Sequence, residues 1–253
     1  MSDAMAPIPV PDSFLEAASR MNLDFDAGDL EKISAYLGLL YEANQRMNLT
    51  AIRSPEDAWS RHVLDSLSLL PILSSVKSDT VIDVGSGGGL PGIPLAITVP
   101  DSRFVLLEAT GKKAAFLQDV VTRLDLSNVR VVNDRAETAA AHGCAHRGAF
   151  DVVIARAVGP LPVLLELTVP FARVDGIVAA IKGGRASIEI EDSAQALIML
   201  RSEVIEQHRT DTGTIVLIQK NKSTPRLYPR RPGEPKRRPL GSEGSDMDHN
   251  GVR

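Results

Sequence analysis

The chain has little of what marks several classes of protein. One cysteine in 253 residues, Cys144, leaves no partner for an internal disulfide, in keeping with a reducing compartment. No stretch approaches the roughly 18 consecutive apolar residues of a membrane-spanning helix, and Met1 to Pro11 has neither the basic segment nor the apolar core of an export signal. The expected location is the cytoplasm, with no membrane partner. No internal repeat is present. In a dinucleotide-binding G-x-G-x-x-G counted from Gly85, the position of the third glycine is Leu90. That counts against a nicotinamide oxidoreductase.

What is present centres on Asp83-Val84-Gly85-Ser86-Gly87-Gly88-Gly89, arriving on the apolar run Thr80-Val81-Ile82. Each glycine removes a Cβ and permits positive φ, so main-chain N–H groups face a ligand without steric cost. An acidic residue, one spacer, then Gly-x-Gly-x-Gly is the pattern of S-adenosylmethionine sites. A flexible glycine loop without a ligand is the bland alternative, and the buried strand directly before the run argues against it.

Charge is unevenly placed. The chain carries 28 basic and 32 acidic residues, yet Lys220 to Arg238 holds eight basic residues against Glu234 alone. Five prolines between Pro225 and Pro239 forbid a regular helix or inner strand there. The segment 223–253 therefore reads as an extended, mobile, basic tail, disordered beyond Leu240, that either contacts phosphates or is merely solvated. Residues 1–11 read as a disordered start, 12–75 as an N-terminal helical cap and 76–222 as the main domain, whose size allows one core.

Helical spacing of Leu30, Ile33, Leu37, Leu40 and Tyr41 predicts a helix over Asp29–Met47, with a shorter one near Ser13–Arg20. Ser54-Pro55-Glu56-Asp57 starts another that buries Trp59, Val63, Leu67 and Leu70. After Thr80 short β-rich runs alternate with helices, which implies a parallel sheet covered on both faces. Strands are predicted at 80–84, 103–107, 129–132, 151–155 and 176–181, and helices at 91–99, 111–124, 161–172 and 185–200. The runs 203–207 and 214–219 add a closing antiparallel pair.

Ligands of an open α/β sheet bind beyond the carboxyl ends of the strands. There the second strand ends at Glu108, 19 residues after Gly89, close to the roughly 20 at which a carboxylate meets the ribose of an adenosine ligand. Ala136 and Glu137, one strand over, are positioned to flank an adenine. Lys112, Lys113, Arg135, Arg156 and Lys182 follow four strand ends. Singly each reads as a solvated charge, but together they form a positive rim suited to a nucleic acid. His142-Gly143-Cys144-Ala145-His146 lacks the four ligands of a structural zinc site and any acid to support a thiolate nucleophile, so it reads as a polar loop and no metal is called for.

Four separated motifs resemble the bacterial RsmG family, also called glucose-inhibited division protein B. They are Asn48-Leu49-Thr50-Ala51-Ile52-Arg53, Arg61-His62-Val63-Leu64-Asp65-Ser66, the glycine run continued through Leu90-Pro91-Gly92-Ile93-Pro94-Leu95, and Ile154-Ala155-Arg156-Ala157. The resemblance extends from about Leu30 to Leu240. It implies a Rossmann-like class I methyltransferase fold, a mostly parallel seven-stranded sheet with an N-terminal helical cap. It also implies methyl transfer from S-adenosylmethionine to N7 of a guanine in the 530 loop of 16S ribosomal RNA, free or within the 30S subunit or an assembly intermediate, by a monomer. By resemblance, Asp83, Gly85, Ser86, Gly87, Gly89 and Leu90 border the cofactor, Glu108, Ala109 and Thr110 its ribose, and Ala136 and Glu137 its adenine. Arg156 and Lys182 fall in the reacting region, with Arg156 also lining the cofactor. Asn48, Arg61, His62, Lys112, Lys113, Arg135 and Lys182 face RNA.

No Asn/Asp-Pro-Pro-aromatic or Pro-Cys motif points to amino-group or cytosine C5 methylation. Two alternatives stay open: a methyltransferase acting on another RNA or a small molecule, and a noncatalytic RNA-binding assembly factor.

Overall fold

In the computed structural model, which describes residues 6–50 and 54–242, the glycine run follows a buried strand as its sequence predicts. Seven strands form one sheet in the order β3-β2-β1-β4-β5-β7-β6. They are β1 (Thr80–Val84), β2 (Arg103–Leu107), β3 (Val129–Val132), β4 (Phe150–Arg156), β5 (Ala172–Lys182), β6 (Ser202–Thr210) and β7 (Gly213–Lys220). The chain divides into two compact units, Met1–Asp134 and Arg135–Arg253.

The first unit contains α1 (Asp12–Arg20), α2 (Asp29–Met47), α3 (Pro55–Ala58), a π-helical turn (Trp59–Leu64), α4 (Asp65–Leu67), α5 (Leu70–Ser75), α6 (Gly92–Thr98) and α7 (Gly111–Arg123), with β1 to β3. β1 pairs with β2 and β2 with β3, both parallel, in registers that place Val84 beside Leu107 and Leu107 beside Val132. Three strand ends are thereby aligned. The helices before β1 pack within this same unit: Tyr36, Leu37 and Leu40 of α2 are fully buried together with Trp59 and Phe14, whose rings stand 4.8 Å apart. Each such side chain contributes roughly 2 kcal/mol by leaving water.

Two expectations need correction here. The helix expected to bury Leu70 is interrupted by a turn at Ser68-Leu69, between α4 and α5, so Leu69 is fully buried and Leu70 only half-buried. The start of the chain, expected to be disordered to residue 11, is docked at Ile8. Its N–H donates to the Ser34 carbonyl, and its carbonyl accepts from Ser34 Oγ at 2.7 Å and Trp59 Nε1 at 3.3 Å. Residues 1–5 lie outside the described residues.

The second unit contains α8 (Ala136–Ala139), β4, α9 (Leu161–Thr168), β5, α10 (Ala186–Glu191), α11 (Ala194–Leu200), β6, β7 and α12 (Glu234–Arg237). β4 and β5 are parallel, while β7 runs antiparallel to both β5 and β6. Residues 150–155 of β4 are buried without alternation, the pattern of a strand covered on both faces. The helix expected over 161–172 stops at Thr168 because Pro170 disfavours helical backbone before it and brings no N–H of its own. The helix expected over 185–200 is two helices broken at Asp192-Ser193, where Ser193 Oγ donates to the Glu189 carbonyl at 2.6 Å and competes with the helical ladder.

The basic tail is the largest departure from expectation. Residues 223–242 are fixed to the second unit, with Thr224, Tyr228, Pro235 and Leu240 buried. Proline removes ladder hydrogen bonds but leaves side chains free to make tertiary ones, and here the partners come from far along the chain. Residues 243–253, also expected to be disordered, lie outside the described residues.

Candidate active site

The glycine turn is the core of the site in the first unit. Gly85, Gly87 and Gly89 take φ of 76°, 58° and 99°, the left-handed region in which a Cβ is costly. Gly87 and Gly89 differ in kind. A Cβ on Gly89 would stand 2.7 Å from Ile93 Cγ1, whereas one on Gly87 would meet nothing closer than the Gly85 carbonyl at 3.8 Å. Packing therefore requires glycine at 89, while at 87 the missing side chain leaves open space beside the backbone.

Interactions around the turn hold it rigid. The N–H groups of Gly85 and Ser86 both donate to the Leu107 carbonyl, and Ser86 Oγ donates to the Asp83 carbonyl at 2.9 Å. Asp83, fully buried, accepts the Gly92 N–H at 3.1 Å on Oδ2. Leu90 is 7% exposed and lines the same turn.

Glu108 stands directly after β2 and is 7% exposed. Its Oε2 accepts the Gly87 N–H at 2.9 Å, and its Oε1 accepts the Thr110 N–H at 2.7 Å. Two amides from two segments thus aim the carboxylate, and each oxygen retains a second lone pair for a further donor. Ala109 and Thr110 beside it are exposed. Lys112 is exposed and Lys113 half-buried in the first turn of α7.

Asn48 ends α2 in left-handed backbone and is exposed, as is Arg61 on the π-helical turn. His62, expected to face RNA, is 5% exposed, and its Nε2 lies 2.6 Å from Thr50 Oγ1. The structure makes it an internal tie between two of the recognised motifs.

In the second unit, Arg135 is exposed just ahead of α8, and Ala136 and Glu137 open that helix half-buried. The Glu137 carboxylate accepts the Gly233 N–H of the tail at 2.8 Å. Arg156 ends β4 half-buried.

Lys182, expected among the rim cations and in catalysis, is not on a rim. Its side chain is 8% exposed, and its Nζ lies 2.7 Å from both Glu189 Oε2 and the Gly159 carbonyl. Glu189 Oε2 also accepts the Leu161 N–H at 2.7 Å. The ammonium is neutralised inside the unit, where it braces the connection after β4. Burial also pushes the Lys220 ammonium down to about 8, with the nearby Arg147 charge adding to the effect.

Known proteins resemble this chain closely. The family described as "rRNA small subunit methyltransferase G" matches residues 29–216. The chain belongs to this family. "Ribosomal RNA small subunit methyltransferase G" of Sorangium cellulosum is 43% identical over 238 residues, covering 90% of this chain and 99% of the relative. Its namesake in Rubrobacter xylanophilus is 45% identical over 215 residues, covering 81% and 82%. Among solved structures, a methyltransferase from Geobacter sulfurreducens aligns with TM-score 0.54 at 15% identity, covering 84% of this chain and all of that one. Cofactor-bound Rv0187 from MTB gives 0.52 at 20%, covering 85% and 99%. These two likenesses concern the fold.

Within this family member, sequence reasoning passed over several residues that build the turn. Tyr36, fully buried in α2, donates its hydroxyl to the Gly88 carbonyl at 2.8 Å. Asn133 Nδ2 donates to the Glu108 carbonyl at 2.8 Å, and Asn44 Oδ1 accepts the N–H groups of Leu49 and Thr50. Tyr36 falls on the apolar stripe of α2 and an Asn after a strand is ordinary, so neither carries a signal without its partner.

Proposed function

We propose that this chain is an S-adenosylmethionine-dependent methyltransferase that modifies N7 of a guanine in the 530 loop of 16S ribosomal RNA. One observation carries the cofactor assignment: the open backbone at Gly87 lies hydrogen-bonded to a buried carboxylate, Glu108, that keeps free lone pairs. That cradle fits a nucleoside whose ribose donates two hydroxyls and whose neighbouring chain crosses the glycine turn. The family membership favours this cofactor over a nicotinamide.

When bound, the cofactor supplies an electrophilic methyl carbon on a sulfonium. Glu108 accepts the ribose hydroxyls while the Gly87 and Thr110 amides hold it in place, Ala109 and Thr110 border the sugar, and Asp83, Gly85, Ser86, Gly89 and Leu90 shape the methionine side. Ala136 and Glu137 serve the adenine through first-turn N–H groups that have no acceptor within their helix. N7 of guanine carries an in-plane lone pair and no proton, so no side chain needs to move one. Alignment is the main requirement, and in well-oriented reactions it lowers a barrier by roughly 7–11 kcal/mol. Arg156 fixes the guanine through O6 or an adjacent phosphate. Lys112, Lys113, Arg135, Asn48 and Arg61 meet RNA. His62 and Lys182 act from within, by positioning the segments that carry these groups.

Among the described residues no helix is long and apolar enough to cross a membrane. In this reading the enzyme works as a monomer in the cytoplasm, on 16S RNA within the small subunit or a precursor of it. The test is to incubate small subunits from cells lacking this protein with it and methyl-labelled S-adenosylmethionine, and then to map the label. One labelled guanine in the 530 loop is the expected result. Label confined to small molecules, or none in RNA, overturns the reading.

A further inference from the structure

The tail is held in place by one buried and two half-buried charged side chains that lie far from it in sequence. The Arg230 guanidinium lies against Glu166, which is fully buried on α9, with Nη2 to Oε2 at 2.6 Å and Nε to Oε1 at 2.9 Å. The Arg230 N–H donates to the same carboxylate at 2.8 Å. Arg147 reaches over with four hydrogen bonds to carbonyls, three of them in the tail at Thr224, Pro225 and Tyr228. Glu137 holds the Gly233 amide.

Nearly every remaining charge on this pinned segment points into water. Arg226, Arg231, Lys236, Arg237 and Arg238 are exposed, and the one acid among them, Glu234, is half-buried. Arg237 and Arg238 line, with Glu234, a cavity of about 360 Å³. A merely solvated tail needs no buried Glu166 to order it. A segment whose ordering is already complete meets a polyanion without losing conformational freedom in doing so.

We infer that residues 226–238 are a preordered phosphate-binding face that grips the backbone of the substrate RNA, independently of base sequence. The inference rests on the reading of the substrate as ribosomal RNA. Phosphate contacts by lysine and arginine release counterions, so they appear as salt dependence of binding. They position the RNA and carry no base information.

The test replaces Arg231, Lys236, Arg237 and Arg238 by glutamine together, all exposed side chains whose loss leaves the core intact. Binding of transcribed 16S RNA is measured from about 50 to 300 mM salt, beside calorimetry with S-adenosylmethionine and flotation with phosphatidylglycerol vesicles. The slope of log K against log salt falls by about 3, at roughly 0.7–0.9 for each phosphate no longer neutralised. RNA affinity at low salt drops at least tenfold while cofactor affinity stays the same. An unchanged slope and affinity overturn the inference, as does loss of vesicle binding with RNA binding intact. If the parent protein methylates no ribosomal RNA, the functional reading itself fails; parent activity with an unaltered variant slope removes the tail face alone.

Discussion

Lys182 and Glu189 form a largely buried ion pair, 2.7 Å from Nζ to Oε2 with side chains 8% and 20% exposed, on either side of the turn that leads from β5 into α10. The pair also collects the Gly159 carbonyl and the Leu161 N–H, so one ammonium and one carboxylate fix both sides of Pro160. Arg156 stands three residues before that grip.

Removing one partner strands the other. Lys182→Met is expected to lower unfolding free energy by about 3 kcal/mol, typical of a broken buried pair. Lys182→Met with Glu189→Gln costs less than the two single changes added, because glutamine still accepts the Leu161 N–H and no charge is left stranded. Urea unfolding of the four proteins measures the coupling, and strict additivity would remove the brace.

The two glycines separate folding from binding. Gly87→Ala meets the left-handed penalty of about 1–2 kcal/mol and little else, so the protein folds, yet S-adenosylmethionine affinity falls at least tenfold as the new methyl enters the space beside the backbone. Gly89→Ala adds the clash with Ile93, costing roughly another 1–3 kcal/mol. Thermal unfolding and calorimetry run on both variants should show opposite dominant losses; equal cofactor binding by Gly87→Ala and the parent would contradict the cradle.

Glu108→Gln turns one acceptor oxygen into a donor facing either the Gly87 or the Thr110 N–H. Losing a charged hydrogen bond of about 1.5–3 kcal/mol corresponds to a rise of roughly 10–100-fold in cofactor Kd. Turnover at saturating cofactor stays within about threefold, since Glu108 holds the ribose and not the methyl. Isothermal calorimetry together with steady-state kinetics decides this, and an unaltered Kd would take Glu108 out of the site.

Lys220 gives stability a pH dependence of definite sign. Its folded-state pKa of about 8 lies below the ordinary 10.5, from burial and the Arg147 charge. Below pH 8 both folded and unfolded chains hold the proton, and the full cost of the buried charge is present. From pH 8 to 10.5 the folded chain has released a proton that the unfolded chain keeps, so this group makes stability rise with pH, by a few kcal/mol at most. Urea midpoints between pH 7 and 10 should climb more steeply in the parent than in Lys220→Met, whose midpoint is already the higher at pH 7. Parallel curves would show that the ammonium is not destabilised where it sits.

Much of the fold was legible because its signals are local. The apolar run Thr80-Val81-Ile82 followed by Asp83 and three spaced glycines specifies a strand and a left-handed turn, and β1, β2 and β3 match their predicted bounds residue for residue. Glu108 was legible for the same reason, a carboxylate one step past a strand. The helix bounds that differ, at Thr168 and at Asp192-Ser193, depend on a proline and a back-bonding serine that periodicity averages away.

What the amino-acid order settled by itself was the class of fold, the nucleotide turn and the family likeness, all written in short-range spacing. Tertiary structure decided where each charge goes. Lys182 looks like a rim cation until Glu189 is beside it, His62 looks exposed until Thr50 meets it, and a proline-rich basic tail looks mobile until Glu166, 64 residues away, takes hold of Arg230. Burying a charge is unfavourable without a partner, and a partner distant in sequence is chosen by packing, which no local pattern encodes.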